Sequence, residues 1–138
     1  MNILLWVLQA LLALAFLAHG WLFLSPPAEL VDQMNASLPR WFQRFIGVAE
    51  VLAAIGLTIP GLTRILPWLV TCAALGIMIV TVSATVFHFA RGETSSAATT
   101  LGLFGLAAFV AYMRYRVVPI PARGTRNEPR AFRRSTTG

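Results

Sequence analysis

The sequence predicts an all-α fold, an integral membrane four-helix up-and-down bundle. Of its 138 residues, 57% are hydrophobic and only 12% are charged, whereas soluble domains carry about 25% charged residues. The mean hydropathy is +0.72. Four apolar runs each approach the roughly 20 residues that a helix needs to cross a bilayer. A water-soluble globular enzyme does not fit this composition, and the length allows one domain.

The first run, residues 3–24, contains no charged residue. It begins without the basic segment that opens a signal peptide, so we interpret it as a retained membrane helix, with cleavage near Ala15 as the alternative. The second run, residues 43–60, is short, carries Glu50 and ends at the breaker Pro60-Gly61. Between these runs, Leu30, Val31 and Met34 suit a short interfacial helix at the outer surface, and a solvated loop is the alternative.

The third run, residues 65–90, has Pro67 in its first turn, where a proline costs little because that N–H has no helical partner. The fourth, residues 97–118, ends with Arg114 and Arg116. Residues 1–118 thus form the predicted membrane domain. Small residues occur on the spans and predict close helix contacts; among them are Gly47, Gly56, Gly76, Gly102 and Gly105.

The arginines predict the orientation, because cytoplasmic segments of membrane proteins carry the basic excess. With both termini inside, three arginines lie outside, namely Arg40, Arg44 and Arg91. The other eight lie inside: Arg64, Arg114, Arg116, Arg123, Arg126, Arg130, Arg133 and Arg134. We therefore predict an N-in/C-in multi-pass protein of the bacterial inner membrane. Residues 119–138 are predicted to be a disordered basic cytoplasmic tail.

The ionisable residues near the spans gather in the predicted outer half of the bundle. Each costs about 2.5–3.5 kcal/mol within a membrane helix, so their joint placement indicates a polar site. Glu50 and His88 are the candidate catalytic residues. The candidate ligand-binding residues are His19, Arg44, Arg91 and Glu93.

Each of these residues also has a structural explanation. Glu50 can be a packing residue paired with Arg44 or with a histidine, because a carboxylate in a membrane helix needs a partner. His88 is close enough to the interface to be an amphipathic end residue. Arg91 and Glu93 lie in a short turn, where side chains are usually solvated.

Several partners are disfavoured by what the chain lacks. A single cysteine, Cys72, excludes a disulfide, a CxxC redox pair and a thiolate zinc cage, and no metal site is predicted. A haem held by His19 and His88 is disfavoured, since two histidines without further pattern are weak support. The tail lacks aromatic or fold-level support for binding nucleic acid, so its expected partner is anionic lipid.

Three stretches together resemble the DoxX-like family of small four-helix bacterial membrane proteins. They are residues 5–20, residues 44–60 with the spacings GxxE and GLxxP, and residues 88–93 with HxxRGE. The similarity covers about residues 3–118. It implies that Glu50, His88 and Arg91 are recurring family positions. Family members usually carry a lysine where this chain has Phe23, so either His19 takes over as the partner of Glu50 or the site differs.

The resemblance implies a link to quinol oxidation and to membrane subunits that accompany oxidoreductases. We therefore expect a polar pocket of Glu50, His19 and His88 that binds a small apolar ligand such as a quinone or lipid. It would serve membrane redox metabolism, as a component of a membrane oxidoreductase. The alternative is a non-catalytic membrane anchor or assembly partner of other proteins.

Overall fold

The computed structural model describes residues 2–123, and every regular element in that range is helical. Residues 124–138, which hold most of the predicted basic tail, lie outside the described residues. The elements are α1 (Asn2–Leu24), α2 (Ala28–Ser37), α3 (Arg40–Thr63), α4 (Trp68–Ala90) and α5 (Thr94–Tyr112), which continues into a π-helical turn (Met113–Val117).

Four of these helices, α1, α3, α4 and α5 with its π-helical turn, are long and apolar enough to cross a membrane. Their lengths of 23 or 24 residues match the roughly 20 that a bilayer requires. The predicted four-helix membrane bundle is therefore confirmed. The short helix between the first two spans is also present as α2, so the alternative of an irregular loop is wrong.

Two prolines act differently from one another. Pro60 lies inside α3, which continues to Thr63 and ends where Arg64 adopts a left-handed conformation with φ of 58°. The expected break at Pro60-Gly61 is therefore wrong, because a proline this close to the end removes a single hydrogen bond of the last turn. Pro67 directly precedes α4, which begins at Trp68 rather than at the predicted residue 65.

The helices associate as two pairs. α1 packs mainly on α3 and α4 mainly on α5, the pairs join through α3 and α4, and α1 meets α5 over a smaller area. The core between them is formed by apolar side chains that are almost fully buried, including Leu12, Phe16, Leu57, Val70, Ile77 and Val110. Many other large apolar side chains point outward, which is the pattern of a bundle surrounded by lipid.

Two glycines set the crossing of α1 and α3. A Cβ atom on Gly20 would lie 2.8 Å from the carbonyl oxygen of Gly47, and a Cβ on Gly47 would lie 2.8 Å from the carbonyl oxygen of Gly20. Backbone atoms cannot move aside as a flexible side chain can, so this approach requires glycine on both helices. Glu50, one turn from Gly47, is thereby brought against α1.

The other glycines divide into two groups. Gly56 packs closely on α4, since an added Cβ would lie 2.9 Å from the Cβ of Ala73. A Cβ added to Gly76, Gly102 or Gly105 would meet no atom of another helix within 4 Å among the described residues. The expectation that these three mediate helix packing in the bundle is therefore wrong.

The antiparallel arrangement gives the bundle two ends. We call one the His19 end; it holds the end of α1, the start of α3, the end of α4 and the start of α5. We call the other the Arg114 end; it holds the start of α1, the end of α3, the start of α4 and the π-helical turn.

Candidate functional site

The centre of the His19 end is a pair formed by His19 on α1 and Glu50 on α3. Nδ1 of His19 donates to Oε2 of Glu50 at 2.7 Å. The Glu50 side chain is 3% exposed, whereas that of His19 is 53% exposed. The pair therefore connects a carboxylate inside the bundle to an imidazole that remains accessible.

A second histidine pair follows α4. Nδ1 of His88 donates to Oε2 of Glu93 at 2.6 Å, and Nε of Arg91 donates to Oε1 of the same carboxylate at 2.9 Å. Glu93 thus holds both side chains in the turn between α4 and α5. The Arg91 guanidinium, with a further contribution from His88, lowers the pKa of the Glu93 carboxyl below its ordinary value.

Both histidines border one cavity of about 430 Å³, which is within the usual range of about 300–1,000 Å³ for small-molecule sites. All four spans contribute to its wall. α1 and α3 provide Phe16, His19 and Glu50; α4 provides Val80, Thr81, Ala84 and His88; α5 provides Ser95, Ser96, Thr99, Thr100 and Leu103. The contact of α1 with α5 is smaller than that of α1 with α3 or of α4 with α5.

Hydroxyl groups line the α4 and α5 side of this cavity. The hydroxyls of Thr85 and Thr100 bond to each other at 2.8 Å across the two helices. Thr81 donates to the carbonyl oxygen of Ile77 at 2.8 Å, so its hydroxyl oxygen keeps accepting capacity. The cavity therefore combines apolar walls with acceptors and donors at several positions.

Five of the six predicted site residues lie in these two clusters, which are His19 with Glu50 and His88 with Arg91 and Glu93. Arg44 does not join them: it is exposed, and it forms no ion pair with any residue between 2 and 123. The alternative that Arg44 pairs with Glu50 is therefore wrong. Whether the five residues catalyse a reaction or bind a ligand stays a prediction.

Phe23, which stands where the resemblance implies a lysine, packs beside His19. The Phe23 ring lies 4.8 Å from the His19 ring, centroid to centroid. Phe23 is one helical turn beyond His19, so it packs on the imidazole while His19 bonds to Glu50. His19 therefore occupies the place of a basic partner for the carboxylate.

Sequence reasoning missed Gln43, which is fully buried at the His19 end. Its Nε2 donates to Oδ1 of Asn35 at 3.1 Å and to the carbonyl oxygen of Leu38 at 2.7 Å. Gln43 thereby fastens α2 to the start of α3. Its position four residues before Gly47 and seven before Glu50, both on the buried face of α3, is the signal that could have identified it.

Arg114 and Gln9 at the other end were also missed. Arg114 is 4% exposed and Gln9 is fully buried. Nε of Arg114 donates to Oε1 of Gln9 at 2.5 Å, and Nε2 of Gln9 donates to the carbonyl oxygen of Leu57 at 2.8 Å. The interpretation of Arg114 as only an orienting charge is therefore incomplete, because its side chain lies within the bundle.

In the part of the chain from residue 2 to residue 123, no group of three or more His, Cys, Asp or Glu side chains is arranged to hold a metal ion. The polar groups at the His19 end are suited to hydrogen bonding and proton exchange, and both imidazoles use Nδ1 in their carboxylate pairs. Nε2 of each ring takes no part in these carboxylate pairs.

The fold and these clusters define a small multi-pass membrane protein, a four-helix bundle with ionisable groups at both ends. The family model described as DoxX-like matches residues 7–111. Because the match covers well over half of the chain, the protein belongs to the DoxX-like family, and the resemblance noted in its motifs is confirmed. No curated protein and no solved structure matches the chain.

Proposed function

We propose that the cavity at the His19 end binds a small apolar ligand with a hydrogen-bonding head, such as a quinone or a lipid. The observation that carries this proposal is the placement of His19 and Glu50, bonded at 2.7 Å, on the wall of a 430 Å³ cavity. Residues of α1 and α5 both border the cavity, and we infer that an apolar ligand enters between these two helices from the surrounding hydrocarbon.

The two histidines have different tasks in this proposal. The accessible His19 ring bonds to the ligand head. The buried Glu50 carboxylate fixes the orientation of the imidazole, and it accepts a proton from the ring or returns one to it. His88, held by Glu93, meets the head from the α4 side. The hydroxyls of α5 supply further hydrogen bonds, and the apolar walls take the ligand's ring or chain.

We also propose the cellular setting. The arginine distribution favours a bacterial inner-membrane protein with both termini in the cytoplasm, which places the His19 end on the outer side. A quinone ligand there would connect the protein to membrane redox metabolism, as a component of a larger oxidoreductase.

The test is equilibrium binding of a short-chain ubiquinone to the full-length protein in mild detergent. We expect Glu50→Gln to raise the Kd by about tenfold, because hydrogen bonds to charged groups contribute about 1.5–3 kcal/mol. Glu29→Gln is the matched control, since Glu29 lies on the exposed helix α2. This control should leave the Kd unchanged.

Two results would contradict the proposal. One is a Glu50→Gln protein that binds the quinone as tightly as wild type. The other is a folded wild-type protein that binds no quinone or lipid in the cavity, which would favour the non-catalytic alternative.

A further inference from the structure

The Arg114 side chain is a buried cation whose hydrogen-bond partners are all neutral. Nε donates to Gln9, and Nη1 donates to Oδ1 of Asn2 at 3.0 Å and to the carbonyl oxygen of Val118 at 3.4 Å. The guanidinium also lies over the Trp6 ring, with its Cζ atom 5.0 Å from the ring centroid. These contacts orient the guanidinium but bring it no negative charge.

One nitrogen of this guanidinium has no partner among residues 2–123. Nη2 of Arg114 is buried and makes no hydrogen bond to any described residue. The ion pairs formed between residues 2 and 123 involve Glu50 and Glu93, which lie at the opposite end of the bundle. A buried cation without a counter-charge is costly, so an anion at this position would be strongly favoured.

Two cavities meet at Arg114. The smaller, about 280 Å³, is bordered by Asn2, Trp6, Arg64 and Arg114. The larger, about 760 Å³, is an apolar groove between α4 and α5. Arg114, Pro119 and Ile120 belong to the walls of both. A small cavity bordered by two arginines therefore lies next to an apolar groove and shares three wall residues with it.

The small cavity and the groove together are complementary to an anionic amphiphile, whose acidic head would lie beside Arg64 and Arg114 and whose chain would lie along the groove. We propose that the Arg114 end binds one anionic phospholipid from the bilayer. Its phosphate accepts from the Arg114 guanidinium, and one acyl chain lies between α4 and α5. Phosphate oxygens match the donor geometry of arginine, and Arg64 adds a second positive charge.

The site is independent of the cavity at the His19 end. It needs Arg64, Arg114 and the groove, whose walls also include Pro119 and Ile120 at the start of the predicted tail. Failure of quinone binding at the His19 end would leave this proposal unaffected, and the reverse also holds.

Cys72 provides a native probe of the groove, because it is the only cysteine of the chain and its exposed side chain lies on the groove wall. The experiment measures the rate at which an apolar alkylating reagent modifies Cys72 in detergent-solubilised full-length protein. Phosphatidylglycerol is titrated in, and phosphatidylcholine with the same acyl chains is the comparison. We expect phosphatidylglycerol to halve the rate at a concentration about thirtyfold lower, corresponding to roughly 1 kcal/mol for each of the two arginines.

Variants then identify the cation. Arg114→Gln should abolish the preference for phosphatidylglycerol. Arg64→Gln should reduce this preference, and because Arg64 is exposed, the substitution leaves the buried residues unchanged. Arg116→Gln is the matched control, because Arg116 is exposed two residues away and stacks on Tyr115 instead. The Arg64 variant keeps the test informative if the Arg114 variant does not fold.

The expected result is a wild-type preference for phosphatidylglycerol that is retained by Arg116→Gln and lost or weakened in the other two variants. Equal protection by both lipids in the wild type would overturn the proposal. An equally large loss in Arg116→Gln would also overturn it, because general surface charge would then explain the binding.

Discussion

The two ends of the bundle bury polar groups in different ways. At the Arg114 end, Gln9 and Arg114 are both buried and bond to each other and to the backbone. At the His19 end, the buried Glu50 bonds to His19, and both side chains border a cavity. The first arrangement ties α1, α3 and the π-helical turn together, whereas the second leaves an imidazole available. A buried polar group in a membrane bundle can thus fasten helices or border a cavity.

The largest expected effect concerns the glycine contact that positions the His19 end. Gly47→Leu would place a side chain against the Gly20 carbonyl oxygen, which a Cβ alone approaches to 2.8 Å. We expect a loss of about 3 kcal/mol in the free energy of unfolding, the upper end of the range for overpacking. Thermal unfolding in detergent measures it. Gly102→Leu is the control, since among residues 2–123 no atom beyond the adjoining part of its own helix lies within 4 Å of an added Cβ. An equal loss there would refute the role of the crossing.

The next effect tests the fastening role of the Arg114 end. Gln9→Leu removes the acceptor for Nε of Arg114 and the donor to the Leu57 carbonyl oxygen. We expect a loss of about 2 kcal/mol, because buried polar groups are left unpaired. Denaturation in mixed micelles measures it, with the exposed Gln33→Leu on α2 as the control. A Gln9→Leu protein as stable as wild type would show that the network does not stabilise the bundle.

A smaller effect on stability is expected at Glu50. In Glu50→Gln the side chain keeps an oxygen that accepts from Nδ1 of His19, and because the remaining His19 ring is half-exposed, no buried charge is left unpaired. The free energy of unfolding should therefore change by less than about 1 kcal/mol, while ligand binding weakens. A loss as large as that of Gln9→Leu would show that the two ends are equally structural and would remove the distinction between them.

The smallest effect is the pH dependence of the stability that Glu93 contributes in the turn after α4. The pKa of Glu93 is lowered by hydrogen bonds from Arg91 and His88, so the folded state favours its charged form. This contribution to stability is complete above the ordinary carboxyl pKa of 4.5 and is lost as pH falls through the lower folded-state pKa. The pairs are exposed, which keeps the effect small.

Unfolding midpoints of wild type and Glu93→Gln should therefore differ slightly at neutral pH and converge in acid. Glu29→Gln serves as the control, since Glu29 is exposed on α2. A difference between wild type and Glu93→Gln that grows as pH falls would contradict the sign of this pKa shift.

The sequence predicted the helices because their driving force is local. The length and apolar composition of each run indicate a membrane helix without knowledge of its neighbours. The depth of each residue within its span also follows from the chain, which explains why His19, Glu50 and His88 could be placed at one end. Which partner Glu50 would take was left open, because the crossing at Gly20 and Gly47 depends on packing between helices.

The Arg114 end could not be predicted in the same way. Arg114 and Gln9 are 105 residues apart, and an arginine near the end of a span is usually explained by the orientation of the protein. One local signal was present, since Arg114 continues the spacing of the buried residues Ala107, Val110 and Ala111. The three glycines that face open space illustrate the opposite error, because small residues permit close packing but do not require it.

The most direct test of the distinction between the two ends is photo-crosslinking with a photoreactive short-chain ubiquinone, followed by mapping of the modified residues by mass spectrometry. We predict labelling on the cavity walls at the His19 end, within residues 15–19 of α1 and 95–103 of α5, and its loss when unmodified quinone competes. Labelling confined to the groove beside Cys72 and Tyr112, or spread evenly over the lipid-facing surface, would contradict a ligand site built on His19 and Glu50.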